Sequence, residues 1–150
     1  MQIKATEDSK IHIDFADRFR QPLLFEGMNI GKMYPTDIDA MTEYHDRLFI
    51  FMEVKYGDTP TNYGQLTALE RTANALQETG RDAIVLICRH SVEDRTKPVL
   101  LKDTIVSNIY FKGEWYDADM PMTAGDTWKI IMAWGMDKEK GNPTTEMPWG

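Results

Sequence analysis

Glu53 and Lys55 stand two residues apart at the end of the apolar run Leu48-Phe49-Ile50-Phe51-Met52, and Asp39 lies fourteen positions before Glu53, with Asp37 two residues earlier. Two carboxylates and an amine gathered at one point suit a divalent-metal site for phosphodiester cleavage. Carboxylates that close repel and raise each other's pKa unless a cation occupies the gap. A hard ion such as Mg²⁺, with Mn²⁺ able to substitute, takes oxygen ligands and keeps several waters. It lowers the pKa of one of them and stabilises charge on a phosphate oxygen. The Lys55 amine then orients the attacking water or offsets the charge of the transition state.

These residues work together only if the elements that hold them bring them to one face. The segments 36–44 and 48–56 read as extended runs joined by His45-Asp46-Arg47, a hairpin. The second run is apolar on both sides, as a central strand is. Side chains alternate along a strand, so Asp37 and Asp39 share a face, as do Phe51, Glu53 and Lys55. An odd-numbered loop centred on Asp46 sets Asp39 across from Glu53 and Asp37 across from Lys55, with opposed Cβ atoms about 4.5–5.5 Å apart. An even-numbered loop without a bulge puts Met52 there instead and destroys the site.

Further along, 57–62 is turn-rich, with Thr61 or Asn62 available as an N-cap. Leu66, Leu69, Ala73 and Leu76 then recur at helical steps, and Gly80 is the stop signal. Residues 83–88 have the length and content of a buried strand, and the strand-helix-strand crossover makes it a parallel neighbour or near neighbour of 48–56. Residues 97–116 predict one or two strands with Ile105, Ser107 and Ile109 on one face and Lys112-Gly113-Glu114 as a turn. Thr123 or Asp126 caps a last helix carrying Trp128, Ile131, Met132 and Trp134. Residues 10–15 alternate as a strand does, 14–21 equally open a helix, and Pro22 stops either. The fold class expected is α/β, a mixed central sheet flanked by helices, as one domain over 1–136 with a flexible tail over 137–150.

Bulk properties fit that expectation. One hundred and fifty residues, 42% hydrophobic and 27% charged, make one ordinary globular domain. No apolar run is long enough to span a bilayer and the first residues lack the apolar core of a secretion signal, so a cytoplasmic chain with no membrane partner is expected. The net charge of −7 runs against nucleic-acid binding, where neutralising phosphates supplies most of the affinity, and there is no basic run. A carboxylate site, however, is neutralised by the cation it binds, and a divalent ion reverses the local potential.

Asp39, then Glu53-x-Lys55, with Pro35-Thr36-Asp37-Ile38 before and a helix containing Gln65 after, resembles the PD-(D/E)XK nuclease superfamily, the restriction-endonuclease-like fold, over about residues 34–90. The likeness is nearest to compact phage and prophage nucleases of the recombination-exonuclease type. It implies a Mg²⁺-dependent DNase. Asp39 and Glu53 would hold the metal, the Val54 backbone carbonyl would add a ligand, Lys55 would assist the nucleophile, and the helix-borne Gln65, with Tyr63 close by, would position it. Ala40 follows Asp39 where that family often has Gly. The doubled acid departs from the pattern: Asp37 is an alternative ligand or a supporting partner of the ligands. The family's upstream helical Glu has only Glu26 and Glu7 to correspond to it. DNA is the implied partner, with a homo-oligomer or a phage protein partner left open.

Blander readings stand beside these. At the end of an exposed edge strand, Glu53 and Lys55 would be a salt-bridged pair with Asp37, worth about 0–1 kcal/mol. A nuclease-like fold without activity, binding nucleic acid or a protein, accounts better for the charge. His12, His45 and His90 have no ligand spacing, Cys88 reads as a buried inert thiol, and the tryptophans and Tyr116 read as core before base-stacking platforms. Gly27, Asn29 and Gly31 make a loop without a phosphate-binding fingerprint.

Overall fold

The computed structural model describes residues 2–5, 11–14, 22–142 and 147, and the chain divides into two compact units, Met1–Pro35 and Thr36–Gly150. In the first unit β1 (Gln2–Ala5) pairs antiparallel with β2 (Ile11–Asp14), Gln2 opposite Asp14 and Ala5 opposite Ile11. Ile30 and Met33 exchange two backbone hydrogen bonds of 3.0 Å across a tight turn. Glu26 lies in this unit and is exposed; Glu7 and the alternative helix over 15–21 lie outside the described residues.

The second unit is α/β. Five strands form one open mixed sheet in the order β3 (Ala40–Tyr44), β4 (Leu48–Tyr56), β5 (Asp82–His90), β6 (Ile105–Phe111) and β7 (Glu114–Asp117). Only β4 and β5 run parallel, joined by α1 (Tyr63–Glu78), while the other neighbours are antiparallel. Leu48, Ile50 and Met52 of β4 pack with Ile84, Leu86 and Ile131 on the face covered by α2 (Ala124–Glu139). Phe51, Val85, Ile87 and Tyr110 pack with Leu69 and Ala73 of α1 on the other. Each aliphatic side chain buried this way contributes about 1.5–3 kcal/mol, which is why a strand apolar on both sides takes the middle of the sheet.

The β3–β4 hairpin closes through residues 45–47, with Tyr44 opposite Leu48. His45 and Asp46 both take left-handed backbone, φ 47° and 58°, a conformation that costs on the order of 1 kcal/mol or more at a non-glycine residue. Their side chains hold the turn in place. The Asp46 N–H donates to Glu43 Oε2 at 2.6 Å, and its carboxylate takes Arg81 Nε and Nη2 at 2.7 Å each. His45 stacks on Tyr44 with ring centroids 4.0 Å apart and meets Glu139 at 2.9 Å.

Several expectations need correction in detail. The first run of the hairpin becomes ladder only from Ala40, and 36–39 are irregular. Ile105, Ser107 and Ile109 do not share a face, because the β5–β6 register shifts between Ile87 and Cys88. Val106 thereby joins Ile109 in the core, and Ser107 Oγ donates to the Ile87 carbonyl at 3.3 Å. The boundary drawn at 136 falls inside α2, which runs to Glu139, and Met147 is buried in the α2-side core. Thr123 caps α2 by accepting the Asp126 N–H, and no described helix is long and apolar enough to cross a membrane.

Candidate functional site

The loop between β3 and β4 is odd, and the ladder that pairs Ala40 with Met52 points one step further to Asp39 opposite Glu53. The chain bends at Asp39, and the side chain takes over where the main chain leaves: Asp39 Oδ2 accepts the Val54 N–H at 2.8 Å. A strand residue directs its N–H and C=O to the same edge. The Val54 carbonyl therefore faces the edge from which Asp39 approaches.

Glu53 follows the rule of alternation and lies on the α1 side with Phe51. It is 3% exposed, although the strand is one of the most apolar in the chain. Its Oε1 lies 3.3 Å from Lys55 Nζ, and its Oε2 is buried with no hydrogen-bond partner. Burial, and next the charge of Asp39, push the Glu53 carboxyl up to about 7, against the pull of the Lys55 ammonium. The edge-strand ion pair of the bland reading does not apply: β4 lies between β3 and β5, and the acid is inside.

Gln65 arrives from the first turn of α1. Asn62 caps this helix, its Oδ1 accepting the N–H groups of Gly64 at 2.8 Å and Gln65 at 3.3 Å. Gln65 then heads the buried stripe Gln65, Leu69, Ala73, so a polar side chain is directed to the sheet. Its Nε2 lies 3.5 Å from both the carbonyl and Oδ1 of Asp37. Asp39, Glu53 and Lys55 are thus brought together. Gln65 reaches Asp37, in the segment leading into Asp39. Tyr63, at the helix start, is 83% exposed.

The donor set can be tested against a divalent ion. Among the described residues there is no group of three or more His, Cys, Asp or Glu side chains able to hold a metal. Mg²⁺ asks for less, since it is commonly held by one or two carboxylates with waters completing its shell. Two carboxylates, one with a buried unpartnered oxygen, and a carbonyl on the same edge fit such an ion.

The sequence gives no sign of Arg89. It stands beside Lys55 in the parallel register, and its Nη1 donates to the carbonyls of Gly57 at 3.1 Å and Thr59 at 2.5 Å, pinning the loop between β4 and α1. Only the pairing of β4 with β5 reveals it. Three other residues weighed for chemistry serve the fold. Cys88 is fully buried; Trp115 Nε1 donates to Glu70 at 2.6 Å, and Trp128 Nε1 to Thr42 at 2.9 Å. Comparison of the chain with protein-family models, with curated proteins and with solved structures finds no match.

Proposed function

We propose that the second unit is a divalent-metal-dependent phosphodiesterase that cleaves DNA, a restriction-endonuclease-like domain of the PD-(D/E)XK kind. One observation supports this above the rest: Glu53 is a carboxylate buried in a central strand, with one oxygen unpartnered, a second carboxylate next to it and an amine at 3.3 Å. A buried acid left this way costs stability, and a cation between the acids removes the cost.

In this reading Asp39, Glu53 and the Val54 carbonyl would hold Mg²⁺ or Mn²⁺, and the ion, when bound, would supply a water of lowered pKa and polarise the phosphate oxygen. Lys55 orients the attacking water and offsets the charge that builds as the P–O bond to the leaving oxygen breaks. The products are one phosphate monoester end and one hydroxyl end. Gln65 holds Asp37 and with it the approach to Asp39, a positioning role.

A second reading, a catalytically inactive nuclease-like module that binds nucleic acid or a protein partner, is favoured by the −7 charge and by the lack of a three-ligand cluster among the described residues. A cleavage assay on linear, nicked and branched DNA with Mg²⁺, using Glu53→Ala as control, separates the two. Metal-dependent cleavage lost in the variant supports the enzyme; no cleavage of any substrate supports the module.

A further inference from the structure

Lys55 and Arg89 are followed in the parallel register by a second pair, Tyr56 and His90. By alternation these two rings lie on the other face of the sheet from Glu53. Their centroids are 5.4 Å apart with the planes tilted by 59°. The Gly57 N–H donates to the His90 carbonyl at 2.9 Å and closes the strand pair just beyond them. The Val92 N–H donates to His90 Nδ1 at 3.1 Å, which fixes the ring and leaves the proton of the neutral imidazole on Nε2. Tyr56 keeps 49% of its surface exposed.

Both rings line a cavity of about 430 Å³ together with Glu93, Asp94, Arg95 and Lys97 of the loop that follows. That volume is in the range of small-molecule sites. Asp94 is committed to the loop, its Oδ1 accepting the N–H of Thr96 at 3.0 Å and its hydroxyl at 2.6 Å. Neither Arg95 nor Lys97 is in an ion pair among the described residues. The rings offer a base a stacking face, and Arg95 and Lys97, set among the carboxylates of Glu93 and Asp94 in the same lining, offer its phosphate two cations.

We propose that this cavity takes one unstacked nucleotide of the DNA strand that the Asp39–Glu53 site would cleave; the inference rests on the function proposed above. Tyr56 supplies the stacking face, His90 Nε2–H a donor to the base or sugar, and Arg95 and Lys97 the phosphate contact. The net charge argues the same way. A chain at −7 cannot draw its affinity from neutralising many phosphates, whereas stacking on an aromatic ring serves any base. Bases inside a duplex are already stacked, so the cavity selects single-stranded or unpaired DNA.

The test measures binding by the full chain, in chelator, of a labelled single-stranded oligothymidylate and of a fully paired duplex, with dTMP, thymidine and inorganic phosphate as competitors. Single strand should bind at least tenfold more tightly than duplex, with a salt slope of about −1.4 for two phosphate contacts. Tyr56→Leu should weaken binding about tenfold and Tyr56→Phe should not. dTMP should compete better than thymidine, and inorganic phosphate should not compete. Equal binding of strand and duplex, wild-type affinity in Tyr56→Leu, or competition by phosphate equal to that by dTMP overturns the proposal, and the competition arm does so even if the leucine variant fails to fold. Cleavage is read separately: metal-dependent cutting without strand preference removes the nucleotide cavity and leaves the phosphodiesterase. dTMP binding without cutting of any substrate does the reverse.

Discussion

Asp39 Oδ2 accepts the Val54 N–H at 2.8 Å, so an acidic side chain occupies the place that the next main-chain carbonyl of β3 would have taken. The bond holds the carboxylate at the edge of β4, near enough for its charge to act on Glu53. It also explains why the strand stops at Ala40.

The Glu53 carboxyl, pushed up from 4.5 to about 7, ties metal binding to pH. An ion that needs the ionised acid must displace its proton below pH 7, so Mn²⁺ affinity should rise about tenfold per pH unit up to about 7 and level off above it. Titration calorimetry in two buffers of different ionisation enthalpy should find about one proton released at pH 6 and almost none at pH 8. A pH-independent affinity would count against Glu53 as a ligand.

The same shift sets the stability of the metal-free protein. A folded value above the unfolded one favours the protonated form, so this contribution is fully present below about pH 4.5 and is lost as pH rises through 7. Glu53→Gln removes a burden on the order of 3 kcal/mol at pH 8 and should raise the melting temperature there by several degrees. The gain should fall to about 1 kcal/mol or less at pH 5 and vanish by about pH 4, and the variant should no longer bind Mn²⁺. A lower melting temperature at pH 8 would show that the buried charge is better compensated than its surroundings imply.

Lys55 lies 3.3 Å from Glu53, and its side chain is about one-fifth exposed at 21%. Lys55→Ala should therefore keep the fold by circular dichroism while lowering the cleavage rate by roughly 100-fold or more. Equal rates for the variant and the parent would remove Lys55 from the mechanism.

Loop length is open to a direct test. One glycine inserted after Asp46 changes the parity of the β3–β4 turn and carries Asp39 to the other face, while two restore it. Mn²⁺ binding should be lost with one residue added and largely recovered with two. Binding that survives the single insertion would mean that Asp39 is held by Val54 alone, independently of register.

Cys88 is fully buried, and burial pushes its thiol up to about 11. A thiol reagent at pH 8 should leave it unmodified in the folded protein and label it only as the chain unfolds. Prompt labelling under native conditions would place the thiol in an accessible, reactive setting.

The sequence by itself determines the elements, while the parity of the hairpin is decided by the ladder. An apolar run on both faces marks a central strand, and Thr61 or Asn62 with Gly80 brackets the helical stripe. These are local signals, written in period and turn chemistry. It could not show that Asp39 reaches Val54, that Gln65 turns to Asp37, or that Ser107 shifts a register, because each depends on where a chain leaves its ladder. Nor could it set Arg89 beside Lys55 or His90 beside Tyr56, residues thirty-four positions apart that meet only once β4 and β5 pair in parallel. The perturbed carboxyl of Glu53 belongs to the tertiary structure for the same reason: its cause is burial between packed layers, a property no single residue type possesses.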